Sequence, residues 1–136
     1  MIENECLYEG VFVRPEAVTS GLRDRRPLEN AVRFTHVTVL YKPSSTHEAL
    51  YGERVRITVT GYASDGDNEG VRVTMHTGDP ALRQLLDAVP VPHITLSVSR
   101  GGAAVNTARL AFQPTEAYTV EGVFGMMKND HKTLIK

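Results

Sequence analysis

The chain has 136 residues, 41% hydrophobic and 23% charged, with a formal net charge of −1 from 15 basic and 16 acidic side chains. This length predicts one domain over residues 1–136, large enough to bury a core without disulfides or metal. The balanced charge excludes a protein that coats nucleic acid through bulk electrostatics, so any phosphate recognition must be local.

In chain order, Leu7 to Val13 reads as a strand, ended by Arg14-Pro15. Glu16 to Leu22 and Leu28 to Val32 are the candidate helices of the next stretch, around a basic run from Arg23 to Arg26 whose default reading is a solvated face. Arg33 to Tyr41 is a strand and Pro43-Ser44-Ser45-Thr46 a loop. Arg54 to Ala63 alternates, with Val55, Ile57 and Val59 on one face and Arg56, Thr58 and Thr60 on the other. The run Ser64-Asp65-Gly66-Asp67-Asn68-Glu69-Gly70 is dense in turn formers, and Val71 to His76 returns as the second strand of a hairpin. That run lacks the spacing and closing Glu of an EF-hand loop.

Asp79-Pro80 is an N-terminal helix signal, a cap followed by proline at the first helical position. Leu82, Leu85, Leu86 and Val89 form its apolar stripe, and Pro90 and Pro92 stop it. His93 to Ser99 is a strand, Arg100-Gly101-Gly102 a turn, Val120 to Met127 the last strand, and Asn129-Asp130 opens a loose tail. The pattern predicts an α+β fold of mostly antiparallel strands with few helices.

One cysteine, Cys6, allows no internal disulfide and suggests a buried or half-buried thiol in a reducing compartment. No apolar run reaches membrane-spanning length, and the acidic start Met1-Ile2-Glu3-Asn4-Glu5 is unlike a signal peptide. The expected location is the cytoplasm, without a membrane partner.

The informative feature is a phrase that occurs twice. His36-Val37-Thr38-Val39 and His93-Ile94-Thr95-Leu96 each read His, apolar, Thr, apolar. On a strand, His and Thr share one face and the apolar residues share the other. Alternation carries the second face on through Ser97 and Ser99. A lone His-x-Thr is weak, because Thr is a favoured strand residue. A second echo strengthens the pair: Tyr8-Glu9-Gly10-Val11-Phe12-Val13 resembles Val120-Glu121-Gly122-Val123-Phe124-Gly125. Each half of the chain then owns a Glu-Gly-Val-Phe strand and a His-x-Thr strand. This predicts a bilobal fold of pseudo-twofold halves, with one histidine from each facing a cleft.

These residues resemble the 2H phosphoesterase superfamily, which two His-x-Ser/Thr motifs define. The nearest likeness is to the cyclic phosphodiesterase module of plant and fungal tRNA ligases. It rests on Gly10-Val11-Phe12, on His36-Val37-Thr38-Val39 with Lys42 soon after, and on Tyr51-Gly52. Pro92-His93-Ile94-Thr95-Leu96 and Glu121-Gly122-Val123-Phe124-Gly125 complete it. The resemblance implies a 2H-like fold and hydrolysis of an RNA 2′,3′-cyclic phosphate end with neither metal nor cofactor. One neutral histidine acts as base on water, and the other, protonated, donates to the leaving ribose oxygen. Thr38 and Thr95 hold the phosphoryl oxygens. Histidine suits both roles because its pKa, about 6.5 when unperturbed, lies near neutrality.

Lys42 and Arg100, each just beyond a motif strand, are candidate phosphate contacts, as is Ser97. Tyr41 and Tyr8 are candidate stacking partners for a base, although strand tyrosines more often pack. His47, His76 and His131 have no partners at metal-ligand spacing. Two rival readings remain. One is a phosphodiesterase for a small cyclic nucleotide or oligonucleotide signal, and the other is a non-catalytic nucleotide- or RNA-binding module. No Gly-rich phosphate loop with lysine is present, so any RNA ligase or kinase partner is supplied by another chain.

Overall fold

The computed structural model describes residues 5–135. Its elements are β1 (Cys6–Val13), α1 (Pro15–Thr19), β2 (Asn30–Ala31), β3 (His36–Tyr41), β4 (Arg54–Ser64), β5 (Asn68–His76), α2 (Pro80–Asp87), β6 (His93–Val98), β7 (Gln113–Lys128) and β8 (Thr133–Leu134). Short 3-10 turns occupy Glu48–Leu50 and Ala104–Arg109. All the strands join one sheet in the order β2-β6-β5-β4-β7-β1-β3, with β8 beside β7 and every pairing antiparallel. The fold is α+β and mostly antiparallel. No helix among the described residues is long and apolar enough to cross a membrane.

The apolar alternation that marks the strands also builds the core. Val11, Val37, Val55, Ile57, Val71, Ile94 and Phe124 are fully or almost fully buried on one face of the sheet. Val18 of α1 and Leu82 and Leu86 of α2 join them in one cluster. α2 begins where the sequence places it: the Asp79 carboxylate accepts from the Leu82 amide at 2.9 Å, and Pro80 fills the first position. The opposite face carries His36, Thr38, Phe12, Val123, Glu121, Arg54, Arg56, His76, Arg72, His93 and Thr95, as the cross-strand register requires.

Residues 30–41 run from one edge of the sheet to the other. The Val32 amide donates to Leu96 on β6, whereas Thr35 accepts from the Val13 amide of β1. The sheet bends accordingly, and Cα atoms of β3 and β6 come within 8 Å. The two motif strands are the elements that meet there.

Several sequence expectations change. Residues 28–32 are extended rather than helical, and α1 covers only Pro15–Thr19. β7 starts at Gln113, because a polar stretch without apolar alternation still pairs with β4 at Pro114, Tyr118 and Thr119. The tail folds back, with Thr133 and Leu134 pairing to Met127 and Met126. The 64–70 run is only partly a turn. Asp65 Oδ1 accepts from the Asp67 and Asn68 amides, Gly66 takes φ +91°, and Asn68 already belongs to β5. The Glu-Gly echo is also reassigned. The strands holding Gly10 and Gly122, β1 and β7, pair with each other, so they do not serve one half each. The strand beside β6 carries Glu69-Gly70-Val71, hidden in the sequence by the turn formers before it.

Gly10 and Gly70 hold equivalent places. Gly10 lies opposite Thr38 and Gly70 opposite Thr95. A Cβ on Gly10 would stand 2.5 Å from the Val37 carbonyl oxygen, and one on Gly70 would stand 2.7 Å from that of Ile94. Each glycine therefore lets a backbone approach the residue between His and Thr. Just beyond, each register slips: Glu9 faces Leu40 rather than Val39, and Glu69 faces Ser97 rather than Leu96. The motif strand bulges by one residue directly after its threonine. Gly10→Ala and Gly70→Ala should each destabilise the fold by about 2 kcal/mol through overpacking against fixed backbone. A lowered urea midpoint at unchanged slope is the expected result; an unchanged midpoint would mean that the strands separate freely here.

Candidate functional site

Both motif histidines are anchored in the same way. His36 Nδ1 lies 2.9 Å from the Phe34 carbonyl oxygen, and His93 Nδ1 lies 2.7 Å from that of Val91. A carbonyl only accepts, so each Nδ1 carries the proton and each Nε2 keeps a lone pair while the ring is neutral. In both cases the acceptor is two residues back on the same chain. Two imidazoles thus share one tautomer and one strand-relative orientation.

Their surroundings differ. Tyr8 stacks on the His36 ring at 4.3 Å between centroids and 21° between planes, and Phe12 stands 6.1 Å away. The Tyr8 hydroxyl is 3.1 Å from Nδ1. With that proton given to Phe34, the Tyr8 contact is chiefly the stacked ring. Thr38 Oγ1 lies 3.0 Å from His36 Nε2 and donates to it. Burial lowers the His36 pKa below its ordinary value, the Phe34 carbonyl partly restores it, and the charge of His93 lowers it again.

On the other strand, the Thr95 hydroxyl is turned onto the 104–109 turn, near the Ala104 carbonyl at 3.2 Å and Thr107 Oγ1 at 2.8 Å. Thr107 is fully buried and also bonds Asn68 Nδ2 at 3.0 Å. The turn is thereby tied to both β5 and β6. Among the described residues, no group of three or more His, Cys, Asp or Glu side chains is placed to hold a metal ion.

The supporting residues divide. Tyr41 is 66% exposed, with the Lys42 ammonium 5.5 Å from its ring centroid. Lys42 and Arg100 are exposed loop cations, and Lys42 has φ +44°. Ser97 is not on the histidine face. Strict alternation would put it there, but the bulge at Leu96 turns it to the opposite side, where it is 1% exposed. Its hydroxyl donates to Glu69 at 2.6 Å and accepts from the Leu28 amide at 2.9 Å, so it is not available to phosphate.

Sequence reasoning missed two fully buried carboxylates, Glu9 and Glu69, which stand at the two bulges. Glu9 accepts from the His47 amide at 2.7 Å, His47 Nδ1 at 2.8 Å and the Tyr51 hydroxyl at 2.6 Å. Glu69 accepts from Arg25 through two nitrogens at 2.9 and 2.8 Å, from the Tyr62 hydroxyl at 2.7 Å and from Ser97. Each thus binds a tyrosine hydroxyl and a basic side chain from a loop. The Arg23–Arg26 run is therefore not only a solvated face. Burial raises the Glu69 pKa, but the bonds from Arg25, Ser97 and Tyr62 overcome it and leave it below the ordinary carboxylate range. The available signal was the repeated Glu-Gly-Val at 9–11 and 69–71. Cys6 is buried, and burial together with Glu9 raises its thiol pKa to about 11.

No protein-family model matches this chain, and no curated protein matches it. The functional reading therefore rests on the residues themselves.

Removing Arg25 leaves Glu69 buried without its cation. Arg25→Ala should cost about 3 kcal/mol at neutral pH. A native pKa held below the unfolded value, about 4.3 for Glu, stabilises the fold above that value and is lost as pH falls through the native pKa. The gap between wild type and Arg25→Ala should therefore narrow below about pH 4. Denaturant titrations at pH 7 and pH 3.5 measure it, and equal gaps at both would contradict an ionised, paired Glu69.

Proposed function

We propose that this chain is a metal-independent cyclic phosphodiesterase of the two-histidine type, acting on RNA 2′,3′-cyclic phosphate ends. One observation carries the reading. Two His-x-Thr strands, each with its imidazole locked by the carbonyl two residues back, meet where β3 approaches β6. The strand order supports a pseudo-twofold description, with β6-β5-β4 as one half and β7-β1-β3 as the other. The resemblance to 2H phosphoesterases supplies the substrate class.

In this reading the roles follow from environment. His36, kept neutral by burial, takes a proton from water through Nε2. The water oxygen forms the new bond to phosphorus. The bond from phosphorus to one ribose oxygen breaks, and His93 Nε2–H gives that oxygen its proton. Thr38 hydrogen-bonds His36 in the free protein, and Thr95 hydrogen-bonds the 104–109 turn. Both hydroxyls rotate to the phosphoryl oxygens when substrate arrives, where they offset the charge gained in the transition state. The lowered pKa of His36 suits it to the base's role.

The test is hydrolysis of a short RNA ending in 2′,3′-cyclic phosphate, with chelator present. His36→Ala and His93→Ala should each lose about 10²–10⁴-fold in kcat. The acid limb of kcat/KM should fall below about pH 6.5, because the base has a lowered pKa. Turnover that survives in both variants, or that disappears with chelator, would rule this mechanism out. Turnover of cyclic mononucleotides alone would shift the substrate to a small cyclic nucleotide.

A further inference from the structure

The face of the sheet that carries the two histidines continues into a basic surface that the catalytic reading does not use. Arg72 lies directly opposite His93 on the neighbouring strand. Four residues along β5, His76 lies opposite Arg56 of β4, and Arg54 follows on the same face. At the strand rise this carries the surface about 13 Å beyond the His93 row. There, Arg54, Arg56, His76, Thr77, Gly78 and Glu121 line a depression of about 360 Å³.

Three features of these cations bear on what the surface could hold. Arg54, Arg56 and Arg72 are all exposed, and among the described residues none of them enters an ion pair. Arg25, held on Glu69 at 2.8 Å, shows by contrast what pairing looks like in this chain. The cations also share a face and a direction, leading from His93 into a concave site, in a protein whose overall charge is −1. Glu121 is the acid of the depression, opposite Arg56. Finally, guanidinium forks match phosphate oxygens, and the cations run from the His93 row to about 13 Å beyond it.

We propose that Arg72, Arg56 and Arg54 bind the phosphodiester backbone of a single-stranded RNA whose cyclic phosphate end lies at the histidines. The inference rests on the proposed phosphodiesterase reading and deepens it: the substrate is an oligonucleotide, and its upstream phosphates are held on β5 and β4.

The test compares an RNA octamer ending in 2′,3′-cyclic phosphate with cytidine 2′,3′-cyclic phosphate. Wild type should favour the octamer in kcat/KM, and Arg54→Gln/Arg56→Gln should cut that preference about tenfold, through KM. Arg83→Gln, an equally exposed cation on α2, controls for charge alone. Anisotropy with a labelled octamer bearing a plain 3′ hydroxyl reads the surface without turnover. Loss of two phosphate contacts should flatten the salt dependence of binding by about 1.4 logarithmic units per decade of salt. Octamer binding that weakens equally in Arg83→Gln, or does not weaken in the double variant, would overturn the proposal even if both substrates are hydrolysed. Hydrolysis of neither substrate, with octamer binding lost only in the double variant, would keep the RNA surface and remove the phosphodiesterase reading.

Discussion

The arrangement depends on a buried carboxylate placed at a break in strand register. Glu9 and Glu69 are both fully buried, and each sits where the neighbouring strand has one residue too many. A carboxylate in such a place is costly unless its lone pairs are filled. Here they are filled by side chains and an amide from elsewhere in the chain: His47 and Tyr51 for Glu9, and Arg25, Tyr62 and Ser97 for Glu69. The bulge creates the need, and the loops meet it. That is how segments outside the strands, 23–28 and 43–51, acquire fixed positions beside the motif strands.

The bulge also sets where the polar face ends. Before it, His and Thr point away from the core; after it, alternation is inverted and the next polar side chain points in. For Ser97 this converts an apparent member of the histidine face into a structural ligand of Glu69. Each motif is therefore cut to a His and a Thr, with a glycine across from the Thr allowing the strands to close up. The same local solution occurs twice, on β3 beside β1 and on β6 beside β5.

The strands whose apolar residues alternate were legible from sequence, because burial on one face writes a period of two into the chain. β4 and the two motif strands are of this kind, and α2 carries its own cap and stop. The pairing partner of β6 was not legible. Asp, Asn and Gly before Val71 look like a loop, and only tertiary packing makes Asn68, Glu69 and Gly70 a strand. Strict alternation failed at Ser97 for a related reason, since a bulge leaves no mark on composition. The two histidines and threonines could be picked out because their type and spacing repeat. Glu9, Glu69 and Arg25 could not, because a charged residue read in isolation belongs on the surface.

Two identical groups in equivalent positions acquire different properties only from their neighbours. Both imidazoles are held by the same bond to the same relative carbonyl, so the backbone supplies symmetry and the neighbours must break it. An aromatic wall of Tyr8 and Phe12 stands on the His36 side. The strand next to His93 instead presents Arg72 across from it and Gly70 across from Thr95. The wall removes water from His36 and favours its neutral form, and the charge of His93 acts in the same direction. The neutral form of His36 is thus favoured twice over, by burial and by its neighbour.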